Sequence, residues 1–394
     1  MTTHVKHGHT ILLPQKLEGL SPRVPLSQKA LQNLLHDGLP TPRVEEWKYT
    51  NLKPLTDRPI ERKYPGELPP LPQSVCDETS IFNNGVLNGG STDLSWQENW
   101  FEVKADNARL ADFNAAGAQN SYSLDLNGHA EAEITLINHG ANALSCPRLQ
   151  INVKGENTLF IRNLSFDNVW AVPLIQLNLA KGARLNLLVL SDGEGPAAST
   201  GTLITTLAKG AELNHTHLTC TKGLTRFDLF TKHIDSKSAY TLGALSLLGR
   251  TAHADITSRI QHMFPGSTSN VINRNVVDDK AMAVYQGKYV VDAKAQKTDA
   301  NMLIKNLLLS DTARANTKPE LEIFADDVKC THGATTGNLS ADELFYMQSR
   351  GLNKQDAKRL LIHGFAAEVL DTIQSEPLRT FAMEHVDNVL ESLA

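Results

Sequence analysis

A repeat of about 28 residues constrains the fold of this chain more than any other sequence feature. The segment AKGARLN begins at Ala180, and its near copy AKGAELN begins at Ala208, so the offset is 208 − 180 = 28 residues. The same register gives corners of small residues at Lys154, Lys181, Lys209, Lys237 and Pro265. A period in this range, in a strand-rich segment, indicates a solenoid or a propeller in which each unit packs against its neighbours.

The runs between the corners alternate apolar and polar residues, which predicts strands with one buried face. They are LIQLNL at 174–179, RLNLLVL at 184–190, LITTL at 203–207 and ELNHTHL at 212–218. Each period holds about two to four short strands and lacks a repeated Trp-Asp pair, so a parallel β-helix with one turn per period is favoured. The alternative is chance recurrence of the corner motif in a β-sandwich. We predict that the five corners stack along one solenoid axis.

Changes in pattern divide the chain into four predicted segments. Residues 1–52 form an N-terminal helical region. The segment 53–75 contains six prolines, which disfavour helix and central strand and therefore indicate a linker. The β-helix core occupies 76–337. From 338 to 394 the apolar period becomes 3.6, which predicts a C-terminal helical domain.

The C-terminal helices carry recognisable start signals. Ser340 and Glu343 form a capping-box pattern, and Asn353 precedes the next helix as a further capping residue. Helices at the end of a solenoid commonly cover its last turn, so we expect these helices to act as end caps.

Composition excludes several classes of protein. The net charge is −5 and no run of Lys or Arg stands out, so a nucleic-acid surface is not expected. No apolar run approaches the length of about 18 residues that a membrane span needs, and the N-terminus lacks the pattern of a signal peptide. The four cysteines lie far apart without a CxxC pair, which is typical of a reducing compartment. These features predict a cytoplasmic protein.

The candidate chemistry lies in the segment 320–351. Its first residues read as a strand, and alternation along that strand would place Cys330 and His332 on one face. Thiolate and imidazole both bind transition metals. Two ligands do not complete a four-coordinate site, so further ligands would have to come from elsewhere. The alternative is a buried thiol beside a hydrogen-bonded histidine.

The other histidines are interpreted without a functional role. His215 and His217 share a strand face, and we expect that face to be the solvent face of one turn rather than a metal site. His233, His253 and His262 are scattered, so they are expected to be surface or hydrogen-bonded residues.

The sequence also lacks the motifs of common enzymes. It contains no G-x-x-x-x-G-K-[ST] nucleotide loop and no G-x-S-x-G nucleophile elbow. A β-helix fold would permit a polysaccharide-active enzyme, but no Asp and Arg cluster recurs on one strand face, and fold alone is weak evidence of function. We therefore expect a non-enzymatic protein and keep the polysaccharide-active enzyme as an alternative.

Six segments carry a resemblance to a known family: RVEEWKYTNL at 43–52, HADITSRIQH at 253–262, VVDDKAMAVYQGKYVV at 276–291, KTDANMLIKNLLLSD at 297–311, ADDVKCTHGATTG at 325–337 and LFYMQSRG at 344–351. They resemble the SufB/SufD family, which assembles iron–sulfur clusters. The resemblance implies a right-handed parallel β-helix, mainly β with helical ends. It also implies a non-catalytic subunit of the SufBCD complex.

Two positions separate the branches of this family. Where SufB is similar to this chain, it has a cysteine at the place of Asp299 and a glutamate at the place of Gly333. This chain has neither group, so it resembles the SufD branch, with a SufB-like scaffold paralogue as the alternative.

The resemblance further implies partners and cargo. The chain would pair with SufB through the β-helix end near His332, or form a homodimer when alone. His332, and secondarily Cys330, would contribute a ligand to iron or to a transient iron–sulfur cluster shared with SufB. The resemblance does not assign a flavin. The ATPase SufC would bind the C-terminal helices, where the candidate docking residues are Ala357, Leu360, Leu361, Phe365, Val369 and Ile373.

Overall fold

The computed structural model describes residues 5–6, 9–10, 20, 24–62, 67–91, 94–103, 108 and 110–393 of the 394-residue chain. The helices are α1 (Pro25–Asp37), α2 (Lys53–Thr56), α3 (Ala111–Gly117), α4 (Ala341–Ser349), α5 (Lys354–Leu370) and α6 (Glu376–Leu393), with a 3-10 turn at Glu45–Trp47. None of the helices in the described ranges has the combination of length and apolar character that crossing a membrane requires.

β-Strands are the main regular structure of the described residues. The earlier strands are β1 (Val5–Lys6), β2 (His9–Thr10), β3 (Glu61–Arg62), β4 (Glu78–Asn83), β5 (Val86–Gly90), β6 (Gln97–Glu98), β7 (Tyr122–Leu126), β8 (Glu131–Asn138), β9 (Ala143–Ser145), β10 (Arg148–Val153), β11 (Glu156–Ser165) and β12 (Trp170–Ala171). The later strands are β13 (Leu174–Leu179), β14 (Arg184–Gly193), β15 (Ala198–Leu207), β16 (Glu212–Thr221), β17 (Leu224–His233), β18 (Ala239–Leu248), β19 (His253–His262), β20 (Thr268–Val277), β21 (Met282–Val291), β22 (Asp299–Leu308), β23 (Arg314–Ile323) and β24 (Lys329–Asn338).

These strands form a parallel β-solenoid with two long sheets. One sheet has the order β23-β21-β19-β17-β15-β13-β10-β7-β6, and the other has the order β24-β22-β20-β18-β16-β14-β11-β8-β4-β5. From β13 onward, successive strands alternate between the sheets, so each turn contributes one strand to each. The predicted parallel β-helix with helical ends is confirmed.

The predicted corners stack as the repeat requires. The amide of Gly182 donates to the carbonyl of Lys209 at 2.9 Å, and the amide of Gly210 donates to the carbonyl of Ser236 at 3.1 Å. The amide of Lys237 continues the column by donating to the carbonyl of Pro265 at 3.2 Å. Gly182 and Gly210 have φ values of 69° and 65°, a conformation that costs glycine little, which explains their recurrence at these corners.

Inward-facing apolar residues align in columns along the solenoid. Leu149, Ile175, Leu203 and Leu229 occupy equivalent positions on four successive strands of one sheet, and all four are buried in the main core. Each such side chain contributes about 1.5–3 kcal/mol when it is fully buried. The solenoid is therefore held by a continuous core to which each turn adds one layer.

The C-terminal helices lie on the flank of the solenoid. α5 and α6 contact β18 of the second sheet, and α5 also contacts β20. Outward-facing residues such as Phe160, Leu188 and Leu218 are buried with the apolar faces of these helices. The expectation that the helices cap the end of the solenoid is therefore wrong: the apolar surface that needs cover lies on the side of the sheet.

The predicted helix starts are confirmed. The Ser340 hydroxyl accepts a hydrogen bond from the Glu343 amide at 3.2 Å at the start of α4. The Asn353 side chain accepts one from the Asp356 amide at 2.8 Å at the start of α5.

The proline-rich segment 53–75 was predicted to be a linker without helix, and its first residues differ from that prediction. It begins with the helical turn α2, in which Pro54 occupies the first turn, where a proline costs no helical hydrogen bond. Leu55 and Ile60 are buried in a core shared with Trp47. The expectation that the prolines exclude helix is wrong at this point, and the division of the chain into four domains stays a prediction.

Candidate functional site at the open end of the solenoid

The last turn of the solenoid is open on one side. β23 pairs only with β21 in its sheet, and β24 pairs only with β22, so both strands are terminal in their sheets. Within the described ranges no strand or helix completes the pairing of their outer edges. Unpaired strand edges present rows of backbone donors and acceptors to an incoming chain.

Cys330 and His332 lie together on this terminal turn. In the register of β24 against β22, Cys330 aligns with Ala300 and His332 aligns with Met302. Ala300 and Met302 are core residues, so alternation places Cys330 and His332 on the inward-facing side of β24. His332 is nevertheless exposed, because no further turn among the described residues covers it.

The two side chains differ in their readiness to bind a metal. Cys330 is half-buried and packs against the core, and burial, with a contribution from the Asp299 carboxylate, raises the pKa of its thiol. A protonated thiol is a weak ligand, because the thiolate is the form that binds metals. The imidazole of His332 is exposed, which makes it the more accessible donor.

No complete metal site is formed by the described residues. Among them, no group of three or more His, Cys, Asp or Glu side chains is arranged to hold a metal ion. Cys330 and His332 can therefore supply at most part of a coordination shell, and the remaining ligands would have to come from another molecule.

The predicted docking residues of the C-terminal helices divide into two sets. Ala357, Val369 and Ile373 are buried within the chain itself, and the last two belong to the core that covers the flank of the solenoid. Leu360 is 52% exposed, whereas Leu361 and Phe365 are half-buried. Only part of the predicted stripe is therefore available to another protein.

α4 offers further exposed apolar surface. None of its residues is buried, and Phe345 and Tyr346 are 74% and 58% exposed.

Four histidines lie inside the solenoid rather than on its surface. His215 and His217 are buried, and they contact Tyr240 and Ser191 respectively through one ring nitrogen each, at 3.2 Å. The expectation that these two histidines face solvent is wrong. They share strand parity with Leu213, which is a core residue, so alternation places them inside.

A second pair of interior histidines stacks across neighbouring turns. The rings of His233 and His262 lie 4.2 Å apart between centroids, at an angle of 11°. Each accepts or donates one hydrogen bond at 2.8 Å, to Ser238 and Ser269 respectively. Burial lowers the pKa of both imidazoles, for His262 to about 4. These rings are therefore neutral core groups, in agreement with their interpretation as hydrogen-bonded residues.

Sequence reasoning missed a buried charge cluster that anchors the N-terminal region. Arg226 bonds Asp228 at 2.7 Å and Asp255 at 2.6 Å, and its guanidinium lies 3.7 Å from the ring centre of Trp47. Thr50 also donates to Asp255 at 2.5 Å. Arg226 and Asp255 are 29 residues apart and lie on neighbouring turns, so the repeat period was the signal that could have paired them.

The chain is similar to known proteins of iron–sulfur cluster assembly. The family model of the SUF system of FeS cluster assembly, SufBD core domain, matches residues 135–365. The chain is 28% identical over 399 aligned residues to the iron–sulfur cluster assembly protein SufD of Escherichia coli, covering 91% of this chain and 90% of that protein.

Two shorter matches point in the same direction. An iron–sulfur cluster assembly SufBD family protein of Synechocystis is 50% identical over 130 residues, which cover 33% of this chain and 29% of that protein. The SufD protein of Bacillus subtilis is 32% identical over 125 residues, which cover 32% of this chain and 29% of the relative. The family model spans more than half of the sequence, and the long match is to a SufD protein. The chain belongs to the SufBD core family of the SUF system for iron–sulfur cluster assembly, on its SufD side.

Proposed function

We propose that the chain is a non-catalytic subunit of a SufBCD complex, in which it pairs with a SufB subunit and helps to build a nascent iron–sulfur cluster. The observation that carries this proposal is the open last turn, where an unpaired strand edge and an exposed histidine coincide. The family membership supports this role over the polysaccharide-active alternative.

The pairing surface proposed is the outer edge of β24. A strand with free backbone donors and acceptors recruits a further strand, and a partner with a related solenoid would extend the sheet across the subunit boundary. In the absence of SufB, a second copy of this chain would pair at the same edge.

The chemical role proposed is to supply one ligand to a shared site. The cluster is the cargo of the complex, and His332 would hold iron of that cargo through a neutral imidazole, as histidine does in mixed-ligand clusters. Cys330 is the second candidate, because its thiol must first lose a proton. The described residues hold no complete metal site, so the partner would supply the remaining ligands.

The proposed SufC contact uses the exposed parts of the C-terminal helices. Leu360 on α5, together with Phe345 and Tyr346 on α4, offers apolar surface that the described part of the chain leaves exposed. Deleting residues 353–394 would not test this contact cleanly, because it would uncover the flank of the solenoid. The substitution Leu360→Glu is a better test, and it should weaken copurification with SufC.

A pair of proline substitutions tests the pairing surface. Neighbouring N–H groups of a strand point to opposite edges of that strand. One of the two substitutions Ala334→Pro and Thr335→Pro therefore removes an N–H from the free edge of β24. We expect that variant to lose SufB in copurification while thermal unfolding of its solenoid is little changed. The control is Thr312→Pro, in the exposed loop before β23. Full SufB recovery with both folded proline variants would contradict the proposal.

A further inference from the structure

A cleft of about 350 Å³ lies between α6, the proline-rich segment and the flank of the solenoid. Pro70, Leu71 and Pro72 form one wall, and Phe381 and His385 of α6 form another. The floor is formed by ends of β11 and β14, including Leu164 and Leu190. Its volume falls in the range of about 300–1,000 Å³ that is typical of small-molecule sites. The cleft is far in sequence from the last turn and plays no part in the proposed assembly role.

Unpartnered polar atoms converge on this cleft. Ser165 and Arg162 line it and are buried, with 3% and 2% of each residue exposed. Within the described ranges, the Ser165 hydroxyl and the His385 Nε2 are buried without a hydrogen-bond partner. Buried polar groups are nearly always paired, so two unpaired ones at one cleft indicate a place where another molecule binds.

The charges of the cleft indicate what kind of molecule fits. Arg162 is neutralised by Glu133, whose carboxylate lies 2.9 Å from its Nε, and Lys222 lies 3.9 Å from Glu194 at the rim. The Asp192 carboxylate lies 3.7 Å from His385 Nε2, which is an ionic contact beyond hydrogen-bond distance.

Burial shifts the pKa values of both Asp192 and His385. Burial raises the pKa of the Asp192 carboxyl, although an amide hydrogen bond from Gly193 and the nearby His385 oppose this effect. Burial also lowers the pKa of His385, so the imidazole is a poor counter-ion for Asp192. A cationic ligand would supply the positive counter-charge that His385 provides poorly to the Asp192 carboxylate.

We propose that this cleft binds a small organic cation, with an aromatic or aliphatic body against Leu71, Phe166 and Phe381 and an amine or amidine head on Asp192. The apolar walls receive the body, and the carboxylate at the base of the cleft accepts hydrogen bonds from the head. An anionic ligand is disfavoured, because Asp192 and Glu194 both face the cleft.

Calorimetric titration of the full chain with benzamidine tests this proposal, and benzoate serves as an anion of the same shape. We expect benzamidine to bind and benzoate not to bind. Asp192→Asn should weaken benzamidine binding by at least about tenfold, because a charge-assisted hydrogen bond is lost. The matched control Asp311→Asn, at an exposed position, should leave binding unchanged.

A second variant keeps the test decisive if Asp192→Asn does not fold. Leu71 is 43% exposed, so Leu71→Arg should fold, and its tethered guanidinium should compete with benzamidine for Asp192. Absence of benzamidine binding to the wild-type chain, equal binding of benzoate, or unchanged affinity in folded Asp192→Asn or Leu71→Arg would each overturn the proposal.

Discussion

The middle turns of the solenoid and its last turn have strands of the same length and register but opposite exposure. Eight of the ten residues of β16 are buried, whereas none of the ten residues of β24 is buried. Among the described strands, β16 has a neighbour on each side, and β24 has a neighbour on one side only. The repeat thus builds a buried core, and the edge that stays uncovered where the repeat stops is the place where we propose that a partner binds.

The largest expected difference between the two regions concerns charge. Arg226→Met in the middle of the solenoid leaves Asp228 and Asp255 buried without their cation, which should cost about 3–5 kcal/mol of unfolding free energy. The matched change in the last turn, Glu322→Gln, breaks a partly exposed pair with Lys288 and should cost less than about 1 kcal/mol. Chemical denaturation of both variants measures the difference, and equal costs would remove the distinction between the regions.

Apolar truncation sharpens the same comparison. Leu213→Ala removes a core side chain that is 1% exposed, and it should cost about 2–5 kcal/mol because it leaves a cavity. Leu321→Ala in β23 removes a half-buried side chain beside open space, so we expect less than about 1.5 kcal/mol. Chemical denaturation of both variants measures the two losses of unfolding free energy. A larger cost at Leu321 would mean that the last turn is covered in solution.

Acid should unfold the chain through its middle turns. Burial lowers the pKa of His217 to about 3 and of His262 to about 4, whereas an unfolded histidine has a pKa near 6.5. Below about pH 6.5 the unfolded state therefore binds more protons, and stability should fall continuously down to about pH 4. Denaturation midpoints between pH 7.5 and 4.5 measure this slope.

A variant assigns the acid slope to the interior histidines. His262→Gln keeps a donor for Ser269 and should flatten the slope. An unchanged slope in that variant would assign the acid sensitivity to other groups.

The sequence was sufficient for the solenoid but not for what covers it. The corner segments that begin at Ala180 and Ala208 are nearly identical and lie one period apart, so the stacking of turns was predictable from the sequence. His215 and His217 were misplaced, although their parity with Leu213 already indicated the interior. Polarity was given more weight than alternation, yet a solenoid core holds polar groups when serine and tyrosine neighbours bond them.

The position of the C-terminal helices depends on contacts distant in sequence. The uninterrupted run Leu187–Leu190 indicates a strand buried on both faces, which is a signal for a covering layer. It does not identify α5 and α6 as that layer. The ion pair of Arg274 with Glu368, which fixes α5 to β20, joins residues 94 positions apart, and no local pattern predicts it. The shared strand of Cys330 and His332 was easier to predict, because the two residues are close in sequence, and their role as ligands stays a prediction.

Cluster assembly by a complex that carries His332→Ala tests the central claim most directly, namely that the open last turn supplies a ligand to a shared site. The variant should fold and recover SufB normally, because an exposed truncation costs within about 0.5 kcal/mol. Its cluster yield, measured by iron and sulfide content, should fall at least about tenfold, since even indirect supports of a metal site have effects of that size. Cys330→Ala should have a smaller effect. A wild-type cluster yield from an intact His332→Ala complex would contradict the account.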